Sequence, residues 1–298
     1  MLRSISTHVF LTQRITTAHL SAMQQAGAES IELFAARHHI DYTDRNAVLD
    51  LAKWFASNPV GATLHMPLYS TADWGRFTGP DVNLIDPEKS RRINAMDEVK
   101  RALELAEHLP IKSCVLHLGN RNEVWSPRTL EHSLNAIEHL KAFAHPLGVQ
   151  LLLENLTQNE VTTPDHLIEI LTTGHFENVG VCLDVGHANI SEQGIVSSLK
   201  TLAPKIRELH LHDNAGQTDE HLWPATGTPK PASPATATTP ATPATTYIDW
   251  PTITPLIAAL PNQITGTLEI AYALNETPTS IQQKAPTAFE VFNPIYLP

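Results

Sequence analysis

The sequence predicts an α/β fold, a single (β/α)8 TIM barrel, and three observations predict it. Short apolar, often β-branched runs alternate with longer amphipathic stretches from one end of the chain to the other. Eight such runs fit within 298 residues, which suits one barrel better than two domains. Finally, the third to eighth runs each end in a histidine or a carboxylate, as strands whose carboxyl ends surround one mouth would. A doubly wound open sheet is the architectural alternative. No glycine-rich phosphate or dinucleotide loop follows any strand, which counts against it.

Taken in order, the strand candidates are Ser4–Val9, Ser30–Phe34, Ala62–Met66, Ser113–Leu118, Val149–Leu153, Val179–Asp184, Arg207–His212 and Gly266–Ile270. Three of the intervening helices announce their starts. Asp86-Pro87-Glu88, Ser126-Pro127 and Thr163-Pro164-Asp165 each place a capping side chain before a proline suited to the first helical position. Pro87–Leu109 reads as one long amphipathic helix with Met96, Val99, Leu103 and Ala106 on its apolar face. Residues 228–246, TPKPASPATATTPATPATT, break the pattern; almost pure Pro, Ala and Thr cannot bury a core. They are expected to form an extended or disordered insertion after strand seven, within one domain spanning residues 1–298.

Composition narrows the function. The chain is 42% hydrophobic and carries 20 Lys+Arg against 31 Asp+Glu, a formal net charge of −11. A protein that grips phosphate backbones normally presents a basic face, so the balance weighs against nucleic acid as a partner, with room only for a local basic rim. The two cysteines, Cys114 and Cys182, sit in apolar runs and read as packing residues, not a disulfide. The opening residues lack a signal peptide's continuous apolar stretch and no window approaches a membrane span, so the expected location is cytoplasmic with no membrane partner. Oligomeric state is not readable.

The strand ends carry the chemistry. They read ATLH to His65, VLH to His117, LLLE to Glu154, CLDVGH through Asp184 to His187, ELH to His210 and TLE to Glu269. Any one of them alone has an ordinary structural explanation. Six converging on one mouth need a cation, or severe pKa shifts, to coexist. The ligands are nitrogen and oxygen without thiolate, which suits divalent ions such as Zn²⁺ or Mn²⁺. Asp184 and His187, three apart, can reach adjacent cations, and Asp219 with His221, two apart in an extended loop, can chelate one from the same side. His212 shares the strand parity of His210 one step further up, which suggests substrate contact, whereas Asp213 is expected to orient the loop.

The motifs HMP at 65–67, VLHLG at 115–119, ENL at 154–156, CLDVGHANI at 182–190, HLHDNAGQTDEHL at 210–222 and TLEI at 267–270 resemble the xylose-isomerase-like TIM-barrel superfamily, with its sugar phosphate isomerases and epimerases, its endonuclease IV group and its AP-endonuclease-2-type domain. The resemblance runs over roughly residues 1–275 and implies one to three divalent metal ions per chain. In the epimerase pattern Glu154, Asp184, His210 and Glu269 hold one metal, the two glutamates also move protons, and His187 contacts substrate. In the endonuclease pattern His65 and His117 share one metal with bridging Glu154. Asp184, His210 and Glu269 then complete a second, and His187, Asp219 and His221 hold a third. One departure follows His221, where family members commonly read HLPLGEG and this chain reads HLWPATG: Gly227 fits the last glycine, but Thr226 and Ala225 replace the acid and the first glycine.

Two enzymatic readings result. In the first, a metal-dependent sugar or sugar phosphate isomerase/epimerase, Glu154 and Glu269 act as acid and base on a metal-stabilised enediolate, with His187 beside them. The small-molecule sugar would stack on aromatic residues of the mouth loops, namely Tyr69, Trp74, Phe77, Trp125 and Trp223, with His212 contributing a polar contact. The second is an endonuclease IV-like trinuclear phosphodiesterase acting on abasic sites. A non-catalytic metal- or sugar-binding protein is the third alternative. Charge balance and mouth composition favour the first.

Overall fold

In the computed structural model, residues 1–73, 79–224, 247–293 and 295–296 are described. Eight parallel strands close into one barrel in sequential order: β1 (Leu2–Ser6), β2 (Ser30–Phe34), β3 (Gly61–His65), β4 (Ile111–Leu116), β5 (Gln150–Glu154), β6 (Gly180–Asp184), β7 (Ile206–Leu211) and β8 (Thr265–Leu268). Closure runs through β1 and β8, where Leu2 pairs with Thr265 and Ile5 with Leu268. That pairing excludes the open doubly wound sheet. All eight predicted strands are present, displaced by at most a few residues. The largest shift is in β1, which stops at Ser6. There the chain turns into a single 3-10 turn, Thr7–Phe10, in which the His8 amide donates to Ser6 Oγ.

Around the barrel lie α1 (Thr17–Gln25), α2 (Arg45–Ser57), α3 (Lys89–Leu103), α4 (Pro127–Ala144), α5 (Pro164–Thr173), α6 (Val185–Ile190), α7 (Gly194–Leu202), α8 (Trp250–Ala258) and α9 (Pro278–Glu290). Two of the three predicted caps form. Ser126 Oγ accepts from the Thr129 amide at 3.2 Å, and Thr163 Oγ1 accepts from His166 at 3.4 Å. The third does not: α3 begins at Lys89, and Asp86 instead accepts from the Glu88 amide at 2.8 Å, which tightens the turn before the helix. The long helix also ends earlier than its periodicity implies, tightening into a 3-10 turn over Glu104–Glu107. Its apolar face is as expected, with Met96, Val99 and Leu103 buried. The insertion at 228–246 and Trp74, Phe77, Ala225, Thr226 and Gly227 lie outside the described residues.

The main core lies between strands and helices, where side chains such as Leu64, Leu116, Leu151, Leu183 and Leu209 are fully or almost fully buried. Each contributes about 1.5–3 kcal/mol on leaving water. The barrel interior is divided. Val115, Leu152 and Cys182 form a small apolar cluster. Elsewhere buried polar groups meet: Glu208 accepts from Thr267 Oγ1 at 2.6 Å, Thr63 Oγ1 at 3.2 Å and Ser113 Oγ at 3.3 Å. Cys114 and Cys182 are both free and buried, as expected. No helix among the described residues is long and apolar enough to cross a membrane.

Candidate metal centre

Parallel register brings the strand ends to one level. His65 pairs with Phe34, Glu154 with Cys182, Asp184 with His210, and His210 with Thr267. Since side chains alternate along a strand, these pairings aim the ligand-type residues inward at the carboxyl end of the barrel. All nine predicted metal-type residues converge there in three groups, two of which share Glu154, and within each group the ligand atoms lie within 4.8 Å of one another. Glu154, Asp184, His210 and Glu269 form the central group. His65, His117 and Glu154 form a second, and His187, Asp219 and His221 a third, which also includes His212.

Glu154 joins them. Its Oε2 lies 2.9 Å from His117 Nε2 and 3.5 Å from His65 Nε2. Its Oε1 lies 3.4 Å from His187 Nδ1 and 3.5 Å from His210 Nδ1. The imidazoles are held from behind. Nδ1 of His65, His187 and His221 donates to the carbonyls of Met66 (2.9 Å), Asn155 (2.8 Å) and Glu269 (2.9 Å), respectively. Each arrangement points the Nε2 lone pair of the neutral ring into the mouth, as metal-binding histidines require. His210 is held the other way round. Its Nε2 faces Glu32 Oε2 at 3.0 Å, so Nδ1 is the atom presented.

Two atoms test whether a cation fits. His210 Nδ1 is buried and 3.0 Å from Glu269 Oε2, yet lacks hydrogen-bond alignment with any partner. Asp219 Oδ1 is buried too and lies 3.2 Å from His221 Nε2 without such alignment. Lone-pair atoms packed at contact distance but not aimed at one another are what ligands of a shared cation look like. The all-N/O donor set suits a divalent ion.

Electrostatics agree with the geometry. Burial alone would depress the His187 imidazole, but Asp184, Asp219 and Glu154 hold it well above its ordinary value. His221 is likewise raised to about 9, with burial outweighed by Asp219, Glu269 and Asp184. Burial opposes the charged forms of Glu154 and Glu269, yet both are held well below the usual carboxylate range, Glu154 by His117 and His210, Glu269 by His210 and His221. Four carboxylates and five imidazoles thus gather where positive charge is favoured, whether carried by protonated imidazoles or by a cation.

The loop after β7 differs from the sequence expectation in one respect. It is not simply extended: His221 has φ +46°, a left-handed conformation unusual for a non-glycine residue. The turn lets His221 donate to the Glu269 carbonyl and still face Asp219. Asp213 does orient this loop, accepting from the amides of Asn214 (2.9 Å) and Ile248 (3.0 Å). His212 is fully buried, its Nε2 is 3.0 Å from Asp184 Oδ1, and its ring stacks on His221 at 3.8 Å. Trp125 stacks on His166 at 3.9 Å, and Trp223 packs against the core with the Lys284 ammonium 5.9 Å from its ring centre. Neither is among the lining residues of the cavity of about 500 Å³ above the site, which include Tyr69, His117, Arg121, His187 and Asp219.

The structure adds three residues. His8 follows β1, donates Nδ1 to the Ile270 carbonyl at 3.1 Å, and sets its ring 5.6 Å from that of His221. Glu32 and Glu208 lie inside strands below the mouth, grouped with His210. A glutamate flanked by apolar residues inside a strand, as in I-E-L of β2 and E-L of β7, was the available signal.

Fold and site together define a TIM barrel whose mouth is a cluster of metal-type ligands. The chain belongs to the xylose isomerase-like TIM barrel family, whose pattern matches residues 20–238. Among relatives, an uncharacterised protein of Methanocaldococcus jannaschii is 29% identical over 150 residues, 48% of this chain and 51% of that one. The chain thus spans about half the length of that relative. Fructoselysine 3-epimerase of Escherichia coli O157:H7 is 22% identical over 221 residues, 72% of this chain and 78% of that protein. A probable endonuclease 4 of Carboxydothermus hydrogenoformans is 26% identical over 148 residues, 45% of this chain and 51% of its own. Two solved structures share the fold over 99% of both chains: the IOLI protein with a zinc atom (TM-score 0.76, 18% identity) and a D-tagatose 3-epimerase-like protein (TM-score 0.72, 19% identity).

Proposed function

We propose that the protein is a metal-dependent isomerase or epimerase of a ketose or its phosphate. The observation that carries this is the central group. Glu154 from β5 and Glu269 after β8 converge with Asp184 and His210 beneath a cavity large enough for a small polyol. A divalent ion held by these four would polarise the substrate carbonyl and stabilise the negative charge of the enediolate. The remaining chemistry belongs to the chain. One glutamate removes the proton from the carbon beside the carbonyl and the other returns one to the opposite face. His117, half-buried on the cavity wall and 2.9 Å from Glu154 Oε2, gives that carboxylate a route for its proton to leave. His187, fixed by Asn155, can donate to a substrate hydroxyl, and Arg121 on the same wall offers a cation to an anionic substituent. The epimerases among the relatives and structural neighbours support the reading. Turnover of candidate ketoses in D₂O with Mn²⁺ or Zn²⁺ tests it: deuterium should enter at the reacting carbon, and its absence under turnover rules out proton transfer with solvent.

A second reading rests on a specific observation. The groups around His65 and His117 and around Asp219 and His221 are complete, so the same mouth can hold three ions and support phosphodiester hydrolysis. Cleavage of an abasic-site duplex that disappears in Glu154→Gln would favour it.

A further inference from the structure

We infer that Glu32, which reaches neither the cavity nor the central ligand atoms, is the positioning residue that makes His210 a metal ligand; this rests on the proposed central metal group. His210 can serve that group only through Nδ1, because Nε2 points down the barrel. A neutral imidazole offers one lone pair, so Nδ1 is free to bind only while the proton sits on Nε2. Glu32 Oε2, 3.0 Å away and fully buried, is the acceptor that keeps it there.

Glu32 shares the space below the mouth with Glu208, but its close polar contact is with the His210 ring. Its second oxygen, Oε1, is buried with no hydrogen-bond partner, and its one ion pair among the described residues is with His210. Glu208 beside it is provided for differently, by the hydroxyls of Thr267, Thr63 and Ser113. A buried carboxylate with a single polar partner is a poor stabiliser of a fold. Its effect falls on the partner: a full negative charge on Nε2–H raises the basicity of Nδ1 and fixes the ring plane.

The test measures Co²⁺ affinity, by visible absorption and Zn²⁺ competition, in a His117→Ala/Asp219→Ala/His221→Ala background that leaves the central group as the complete set among the three at the mouth. Glu32→Gln retains an acceptor but not the charge and should weaken binding about tenfold. Glu32→Leu removes both and should weaken it about a hundredfold, with an altered Co²⁺ spectrum. The metal-free melting temperature of Glu32→Gln should stay within about 3 °C of the background. Unchanged affinity and spectrum in Glu32→Gln overturns the inference, as does a loss of affinity matched by a collapse in metal-free stability. A background protein that binds no Co²⁺ overturns instead the central metal group, so the two failures are distinguishable.

Discussion

Gly186→Ala is a one-carbon change that should disable the metal centre without unfolding the barrel. Gly186 opens the turn between Asp184 and His187, and its Cα faces the His212 ring. A Cβ there would sit 2.0 Å from His212 Cε1 and 2.5 Å from both ring nitrogens, about 1.4 Å inside ordinary contact. The ring cannot yield freely. Its Nε2 is tied to Asp184 at 3.0 and 3.1 Å and its face lies 3.8 Å from His221. Relief therefore displaces Asp184, His221 or the backbone carrying His187 by on the order of 1 Å. Overpacking of this kind costs about 2 kcal/mol, or a melting temperature lower by about 4–8 °C. A 1 Å displacement in a ligand set costs about a hundredfold in turnover, and divalent affinity should fall with it. Differential scanning fluorimetry, metal titration and ketose turnover read the three quantities. Parent-like metal affinity in a folded Gly186→Ala protein would refute the reasoning, because it would mean that His212 does not brace the site.

Two further outcomes follow from the structure. His39 is fully buried, donates Nδ1 to the Gln13 carbonyl and leaves Nε2 without a partner; burial lowers its pKa to about 3. Because the unfolded ring takes a proton near pH 6.5 and the folded one does not, its stabilising effect is present above that pH and is lost as the pH falls towards 3. Between pH 7 and pH 5 the loss is about 2 kcal/mol, so urea melts should show a smaller acid penalty in His39→Gln than in the parent; equal penalties would contradict this. Divalent metal, binding only the folded chain, should stabilise it by about 4 kcal/mol at a thousandfold excess over Kd. A chelator should reverse the shift, and a melting curve indifferent to both would contradict a site at the mouth.

The barrel was legible because its signals are local. Each strand is a short apolar run, and period-two alternation along it is enough to put His65, Glu154 and Glu269 on the inward face. The convergence of the candidate ligands was legible for the same reason, since strand ends are positions that sequence can mark. What escaped depends on distant pairing. Glu32 meets His210 across 178 residues of chain, and nothing in S-I-E-L-F says which strand lies opposite. His8 was hidden because β1 ends three residues before its apolar run does, leaving the histidine in a turn at the rim. The bend at His221 depends on the Glu269 carbonyl, which reaches it only after the barrel closes. The cap at Asp86 failed for a local reason: its carboxylate closes the turn onto Glu88 before the helix begins.

The most direct measurement is the number of divalent ions per chain in protein purified without added metal, by elemental analysis before and after chelation. One tightly held equivalent, removed by the chelator together with solvent-proton exchange into a ketose and restored with it, is the predicted result. A chain with no bound metal, unable to take up Zn²⁺ or Mn²⁺ on reconstitution, would contradict the metal centre outright.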